Sequence, residues 1–205
     1  MTARRPTGRS CTGARRLPRQ ERRAQLLGAA ATAFLRAGYD GTSMEDVAGE
    51  AGVTRLIVYR NFGSKEDLYR AVLNGVTDRL ADQFAGGVDG DAPGTDQIRP
   101  GIAERVVRVA RADPDAFRLL WRHAAHEPTF AAEAAAFREI VTSYAAALIH
   151  PRVHDETFRA WAASALVGHL YDGVCAWLDT GDASRDDEFV RRLSAGLRAL
   201  VTAWS

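Results

Sequence analysis

The segment at residues 51–75 reads AGVTRLIVYRNFGSKEDLYRAVLNG and predicts a very short helix between two tight turns. Gly52 ends the preceding helix, residues 54–61 form the short helix, and Gly63 marks the second turn. A longer helix begins near Glu66. A helix, a turn and a short helix in this order predict a helix-turn-helix unit.

The rest of the chain repeats apolar residues at helical spacing. Leu27, Ala30 and Phe34, for example, fall on one stripe of a first helix. No run alternates apolar and polar residues convincingly, so no sheet is expected and the predicted fold class is all-α. The nine predicted helices span about 19–37, 44–51, 54–61, 66–84, 97–112, 114–126, 129–150, 156–179 and 187–204.

Composition divides the chain into three parts. Residues 1–18 are rich in Arg, Gly, Pro, Ser and Thr and are expected to form a disordered basic arm. Residues 19–65 contain the predicted helix-turn-helix unit, and residues 66–205 form a larger helical part. One strong internal linker, GGVDGDAPGTD at residues 86–96, follows the first helix of the larger part.

The charge of the chain is unevenly distributed. The first 24 residues carry eight arginines and one acid, a charge of +7, so the remainder carries −6 of the total of +1. A basic arm on a mildly acidic body favours a polyanionic partner at the N-terminal end. The alternative is a solvated tail without a partner.

The two cysteines, Cys11 and Cys175, are too few for a disulfide framework and favour a reducing compartment. No apolar stretch is long enough to cross a bilayer, and the N-terminus lacks the apolar core of a signal peptide. The expected location is therefore the cytoplasm, with no membrane partner.

The short helix is expected to offer one face to solvent. A helical wheel predicts that this face is formed by Arg55, Leu56, Tyr59 and Arg60. Val58 and Phe62 fall elsewhere on the wheel and are expected to anchor the helix in the core. The major groove, about 12 Å wide, admits a helix whose exposed face bonds base edges and phosphates. The alternative is an ordinary surface helix that carries arginines, since helix-turn-helix shapes occur in other proteins.

The residue types on and after this helix suit DNA. Arg55 lies in the first turn, where its guanidinium can bond O6 and N7 of a guanine. Tyr59 and Asn61 suit phosphate oxygens. Lys65 lies at the N-terminus of the next helix, where its charge and the free N–H groups can hold one phosphate.

Residues 20–73 resemble the DNA-binding domain of the TetR family of bacterial transcriptional regulators. The matching residues are Ala33-Phe34, Gly38-Tyr39, Thr42-Ser43-Met44-Glu45-Asp46-Val47-Ala48, Ala51-Gly52-Val53-Thr54, Tyr59-Arg60-Asn61-Phe62 and Ser64-Lys65-Glu66-Asp67-Leu68. So many matches at fixed spacing make the signal specific, and the length and the nine-helix count fit the family beyond them.

The resemblance implies an all-helical homodimer. Three N-terminal helices bind DNA, the fourth links the domains, and the C-terminal helices hold a small-molecule pocket and the dimer interface. Position by position, it implies that phosphates are contacted by Ser43, Thr54, Tyr59, Asn61 and Lys65. It also implies that bases are contacted by Arg55 and approached by Glu45.

One departure from the family concerns Leu56 and Ile57, which stand where the family often has a small residue followed by threonine. A phosphate-bonding hydroxyl is lost and two apolar side chains are gained, which can meet thymine methyl groups. The alternative for Ile57 is that it turns into the core.

The C-terminal half contains all four tryptophans and most other aromatic residues that could line a cavity for an apolar or aromatic effector. The candidate pocket residues are Phe117, Trp121, His123, Phe137, Tyr144, Trp161 and His169. At helical spacing such residues are more often plain core, and that alternative stays open.

Apolar and small residues on the last two helices suggest a four-helix bundle between two subunits. The candidate interface residues are Ala165, Leu166, Phe189, Leu193, Leu197 and Leu200. The alternative is that these stripes cover the core of one subunit.

An enzyme is not expected, because the sequence shows no nucleophile elbow, P-loop or dinucleotide-binding motif in a suitable place. His123 and His126 are three residues apart on one predicted helix, yet a zinc site needs further ligands. No catalytic residue, metal site or cofactor is predicted.

These patterns together predict a sequence-specific transcriptional regulator, in particular a repressor that a small effector releases from a palindromic operator in double-stranded DNA. The fourth helix, which touches both domains, is the expected lever. The alternative is a helical small-molecule-binding protein without operator function, motivated by Leu56 and Ile57.

Overall fold

The computed structural model describes residues 18–85 and 101–205, and all the regular structure in those ranges is helical. Within them lie nine α-helices and no β-strand, which confirms the predicted class. The helices are α1 (Arg19–Ala37), α2 (Met44–Glu50), α3 (Arg55–Asn61), α4 (Lys65–Ala85), α5 (Ile102–Ala112), α6 (Pro114–Arg118), α7 (Ala131–Ile149), α8 (Glu156–Thr180) and α9 (Asp186–Ala203). The predicted basic arm before Pro18 and the predicted start of the fifth helix near Gln97 lie outside the described residues.

The first three helices pack around a shared apolar centre, with α1 against both α2 and α4. Leu26, Val47, Val58 and Leu68 are fully buried there, one from each of the four helices. Leu26 takes the inward position on α1, and the predicted Leu27 is only half-buried. Each such side chain stabilises the fold by about 1.5–3 kcal/mol through its removal from water.

The turn between α1 and α2 is fixed by side-chain caps. Gly38 adopts a φ of 73°, which favours glycine. The buried Thr42 hydroxyl donates to the Gly38 carbonyl at 2.7 Å. At the start of α2, the Asp46 N–H donates to Ser43 Oγ at 3.2 Å and the Ser43 N–H donates to Asp46 Oδ2 at 2.8 Å. This capping box sets where α2 begins.

The C-terminal body is built around α8. Helix α7 packs along it, and α5 and α9 pack on it and on each other. The Trp177 and Phe189 rings stack at 4.7 Å and join α8 to α9. No helix within the two described ranges is both long and apolar enough to span a membrane.

The helical segment at 114–126 has the predicted extent, but only its first five residues form an α-helix. Asp113 caps α6 by accepting from the Ala116 N–H at 3.2 Å, but the α-helix ends at Arg118. It continues as a π-helical turn, Leu119–His123, and a 3₁₀ turn, Ala124–His126. Within the π-helical turn the Trp121 carbonyl accepts a hydrogen bond from Arg138 Nη2 at 3.1 Å, so a side chain of α7 bonds the backbone of the wider turn.

Candidate DNA-binding surface and effector cavity

Helix α3 is held to the protein by a narrow apolar side, as predicted. Val58 is fully buried and Phe62, directly after the helix, is almost fully buried. The Arg23 guanidinium of α1 lies over the Phe62 ring at 4.4 Å. Because only this side is fixed, the opposite face of α3 remains exposed to solvent.

The turn before α3 needs glycine. Gly52 has a φ of 63°, a conformation that other residues rarely adopt. The Val53 N–H donates to the Ala48 carbonyl at 2.9 Å, and Gln25 Nε2 of α1 donates to the Ala51 carbonyl at 2.8 Å. These bonds orient α3 relative to α1 and α2.

The exposed face of α3 centres on Arg55. Its guanidinium forms an ion pair with Glu45 of α2 and donates to the Tyr59 hydroxyl at 3.2 Å. Its charge also lies 5.0 Å from the centre of the Tyr59 ring. The hydrogen bond to Tyr59, and then the Glu45 carboxylate, raise the pKa of Arg55 above its ordinary value. The three residues predicted to read bases or phosphates are thus brought together, with all three side chains exposed.

Several predicted phosphate contacts are engaged within the protein. The Ser43 hydroxyl donates to Asp46 Oδ2 at 2.7 Å, and this bond holds the pKa of the Asp46 carboxyl below its usual range. Asn61 Nδ2 donates to the Ile57 carbonyl at 2.8 Å. Lys65 Nζ donates to the Tyr39 carbonyl at 2.8 Å. Lys65 therefore ties α4 to the turn after α1, and two of its three N–H groups remain for other partners.

Two other predicted residues have free polar groups. Thr54 stands at the N-cap position of α3, where its exposed side chain forms no cap bond and bonds none of the described residues. Arg60 is exposed and likewise bonds no group in residues 18–85 or 101–205.

Leu56 and Ile57 differ in their surroundings. Leu56 is 59% exposed, and Ile57 is half-buried against the core. The alternative that Ile57 turns inward therefore describes it better, and Leu56 is the apolar group presented with Arg55.

An aromatic cluster, which the sequence did not reveal, joins the helix-turn-helix to the body. Tyr69 of α4 stacks on Phe130 at 4.2 Å, and Tyr39 meets both rings edge-on at 5.3 and 5.0 Å. The Lys65 ammonium lies 4.3 Å from the centre of the Tyr39 ring. Phe130 is fully buried and directly precedes α7. Of these three rings, Tyr39 alone is among the residues that carry the family resemblance, in the pair Gly38-Tyr39. The resemblance does not extend to Phe130, so it could not predict the contact.

A cavity of about 350 Å³ lies between α4, α7 and α8. Two of the predicted pocket residues, Phe137 and Tyr144, line it. Most of its wall comes from apolar residues that were not predicted, among them Phe84, Val141 and Leu170. A helix as rich in alanine as α7 gives little periodic signal for which face lines a cavity.

The other predicted pocket residues do not line this cavity. Phe117 packs in the core behind Tyr171, and Trp121 Nε1 donates to Asp172 Oδ1 at 2.5 Å. His169 faces α9, where Gly196 leaves room for its ring. Trp161 is 54% exposed and meets Trp204 at 4.8 Å on the outside of the body.

His123 and His126, the two histidines considered as zinc ligands, are both exposed. Partial burial of the ring and the neighbouring His126 lower the pKa of His123, so the neutral imidazole is favoured. His126 Nδ1 lies 3.0 Å from the Arg122 carbonyl. No group of three potential metal ligands occurs among the residues that the structure covers.

The predicted dimer stripe largely serves the subunit's own core. Leu166, Leu193 and Leu197 are buried within one chain, and Phe189 stacks on Trp177. The remaining two predicted residues, Ala165 and Leu200, are half-buried. The buried leucines therefore offer little surface to a second subunit, and the interface on these helices stays a prediction.

Comparisons with known proteins agree with this architecture. The sequence profile of the bacterial regulatory proteins of the tetR family matches residues 26–72. The chain is 32% identical over 177 residues to the HTH-type transcriptional activator FasR of Mycolicibacterium smegmatis, an alignment that spans 85% of this chain and 80% of FasR. It is 36% identical over 75 residues to the HTH-type transcriptional repressor KstR2 of Rhodococcus jostii, which spans 35% of this chain and 37% of KstR2.

The fold is shared with solved structures. A TetR-like transcriptional regulator from Rhodococcus sp. RHA1 superposes with a TM-score of 0.70 at 22% identity, over 91% of this chain and 97% of that one. Since the similarity to FasR extends over most of both sequences, and the helix-turn-helix matches the family profile, the protein belongs to the TetR family of bacterial transcriptional regulators.

Proposed function

We propose that the protein is a repressor that binds a palindromic operator as a homodimer and is released by a small apolar effector. The observation that carries the DNA part of the proposal is the exposed face of α3, where Arg55 is held by Glu45 and Tyr59. An arginine fixed in this way on a solvent-facing helix is suited to bidentate recognition of guanine. Action on chromosomal DNA places the protein in the cytoplasm.

A gel-shift experiment against the DNA upstream of the protein's own gene tests this proposal. The variant Arg55→Ala should bind at least tenfold more weakly, because one good arginine–guanine contact is worth about 1–3 kcal/mol. Arg108→Ala on α5 is the matched control, since Arg108 is exposed but far from α3 in sequence and pairs with Glu104. If Arg55→Ala and Arg108→Ala bound DNA equally well, the assignment of Arg55 to a base contact would be contradicted. If the protein had no salt-dependent affinity for DNA, a small-molecule-binding protein without operator function would be favoured.

A homodimer is part of the proposal because one seven-residue helix reads too few bases for useful specificity. Two copies spaced about 34 Å apart, or a multiple of that, can read successive half-sites on one side of the duplex. The exposed apolar side chains Phe158 and Trp161 at the start of α8, beside Trp204 after α9, support an interface on these two helices.

Light scattering with size-exclusion chromatography tests the dimer. Trp161→Glu should shift the protein toward a monomer, because a charge would be desolvated in the interface. Leu56→Glu places the same charge on another exposed apolar position and should leave the dimer intact.

The effector part of the proposal is supported by the cavity beside α7 and by the position of that helix. Phe130, directly before α7, contacts the Tyr39 ring of the helix-turn-helix, Glu133 of α7 pairs with Arg70 of α4, and Phe137 and Tyr144 line the cavity. The Arg70 Nε of α4 donates to Glu133 Oε1 at 3.1 Å, so a shift of α7 would also displace α4. A ligand that favours one arrangement of these helices changes DNA affinity by a coupling of typically about 1–3 kcal/mol.

Transcriptional activation is the second candidate, favoured by the match to FasR, which is named an activator. The two functions share the operator, the dimer and the cavity, and differ in the effect on the promoter. A reporter gene behind the upstream DNA separates them, since deletion of the regulator should raise expression for a repressor and lower it for an activator.

A further inference from the structure

Tyr171 of α8 carries a hydroxyl that no side chain or backbone group of the described residues pairs with. Its side chain is 3% exposed and lines the cavity beside α7. The phenol hydroxyl makes no hydrogen bond with any group in residues 18–85 or 101–205. The fully buried polar side-chain atoms without a partner in these ranges are Arg79 Nε and Arg105 Nη1, so the Tyr171 hydroxyl is not sealed in the core but borders the open space of the cavity. An unpaired hydroxyl beside an open cavity points to a partner that enters the cavity.

The ring of Tyr171 is held firmly. It stacks on Trp121 at 4.6 Å and on Phe117 at 5.8 Å, and Phe137 meets it edge-on at 5.8 Å. Trp121 is itself fixed by its hydrogen bond to Asp172. Aromatic neighbours on three sides restrict the rotation of the ring, so the hydroxyl is presented at a defined place.

The remaining wall of the cavity sets the charge of an occupant. Among the eighteen lining residues within 18–85 and 101–205, Asp78 alone is ionisable at neutral pH, and it is exposed. None of these described lining residues is a lysine, arginine or histidine. A carboxylate or phosphate in this cavity would lose its hydration and find no cation among them to pair with. Burial raises the pKa of the Tyr171 phenol, so the hydroxyl stays neutral and can donate a hydrogen bond.

The size and entrance of the cavity limit the ligand further. A volume of about 350 Å³ lies near the lower end of the range for small-molecule sites, about 300–1,000 Å³. Ile140 and Tyr144 of α7 line the cavity and are also 67% and 39% exposed, so the cavity reaches solvent along α7.

We infer that the effector is an uncharged lipophile, with an apolar body filling the cavity and one neutral hydrogen-bonding group, such as a hydroxyl or carbonyl, paired with Tyr171. This inference rests on the proposed function, since it gives the chemical class of the effector proposed there. Tyr171 is the residue that recognises the polar group, and the lack of a cation among the described lining residues disfavours acids.

Binding of three matched probes to the intact protein, without DNA, tests the inference. The probes are 1-nonanol, nonanoate at pH 8 and n-nonane, measured by displacement of the neutral fluorophore N-phenyl-1-naphthylamine. Nonanol should bind most tightly and nonanoate at least tenfold more weakly. Tyr171→Phe should weaken nonanol about threefold to tenfold, the effect of one neutral hydrogen bond, and leave nonane unchanged.

Two further variants establish the place of binding. Tyr69→Phe removes a buried hydroxyl that does not line the cavity and should change nothing. Ala145→Phe fills the cavity and should abolish binding of all probes, whereas Ala147→Phe, exposed on the same helix, should not. Circular dichroism confirms that each variant is folded.

The inference is overturned if nonanoate binds as well as nonanol, if Tyr171→Phe weakens nonane equally, or if no probe binds the wild-type protein. These outcomes leave DNA binding by the free protein untouched. Conversely, nonanol that binds as described but does not change the gel shift would contradict release by effector and leave the chemistry of the cavity intact.

Discussion

The backbone N–H of Tyr39 donates a hydrogen bond at 3.2 Å to the carboxylate of Glu127, 88 residues further along the chain. Tyr39 lies in the turn between α1 and α2, and Glu127 lies four residues before α7. A side chain of the body thus bonds the backbone that positions the DNA-binding helices. Helix α7, which begins four residues after Glu127, also lines the cavity. The bond therefore connects the part of the body that holds the proposed effector with the part that holds the DNA-binding helices.

The Glu127–Tyr39 bond should be visible in amide hydrogen exchange. In Glu127→Ala the Tyr39 amide loses its acceptor and should exchange about tenfold faster, since a hydrogen bond to a charged group contributes about 1.5–3 kcal/mol. Glu127→Gln keeps an acceptor oxygen and should retain most of the protection. Equal exchange at Tyr39 in the alanine variant and the wild type would show that another contact holds this turn.

The two exposed arginines of α3 should have different effects on DNA recognition. Arg55→Ala should relax the preference for guanine at one position of each half-site, since Arg55 is oriented toward specific readout by Glu45. Arg60→Ala should weaken binding to all sequences and reduce the slope of log affinity against log salt by about one for each half-site. Selection from a randomised operator library and titrations at several salt concentrations measure both effects. If Arg60→Ala lost the base preference instead, Arg60 would be the residue that reads a base and Arg55 the one that contacts a phosphate.

The exposed face of α3 could be predicted from the sequence because the helix is so short. Val58 and Phe62 are sufficient to anchor seven residues, so the face of Arg55, Leu56, Tyr59 and Arg60 is left to solvent. The capping box of α2 is also a local feature, since Ser43 and its partner Asp46 are only three residues apart. Features that depend on residues close together in the sequence can therefore be predicted from it.

The cavity and the junction between the two parts were not predictable in this way. The bond from the Lys65 ammonium to the carbonyl of Tyr39, 26 residues earlier, was not expected, although the predicted phosphate contact of Lys65 stays open. Trp161 was assigned to the pocket, although the start of α8 lies on the outside of the body. Both outcomes depend on how distant helices pack, which the spacing of residues along one helix does not specify.

Leu56 should contact a thymine methyl group if α3 enters the major groove. Replacing the contacted thymine by uracil should then weaken binding by the wild-type protein, because an apolar contact is lost. The same replacement should have no effect on Leu56→Ala, in which the partner of the methyl group is already missing. Ile57→Ala should instead lower the stability of the protein, since Ile57 packs on the core. Equal sensitivity to uracil in the wild type and the Leu56 variant would place the methyl contact elsewhere.

Asp186 at the start of α9 should make the stability of the body depend on pH. Its carboxylate accepts hydrogen bonds from Arg111 Nε and Nη2 of α5 at 2.9 and 2.8 Å, and from Trp177 Nε1 of α8 at 2.6 Å. The bonds from Arg111, and then the one from Trp177, hold the pKa of Asp186 below its ordinary value of 3.8. The side chains of Arg111 and Asp186 are only about one quarter exposed, so solvent screens the pair weakly.

Asp186→Asn should lower the free energy of unfolding at pH 7 by about 1–2 kcal/mol, because Arg111 loses its charged partner. A carboxylate whose pKa is lowered by folding stabilises the protein fully above its unfolded pKa, and this contribution is lost as the pH falls through the folded value. The difference between variant and wild type should therefore persist from pH 7 to about pH 4 and shrink below that. Urea unfolding at fixed protein concentration measures it, with Asp187→Asn on the exposed side of the same turn as the control. A difference that stayed constant down to pH 2 would mean that the charge of Asp186 contributes nothing to the link between α5, α8 and α9.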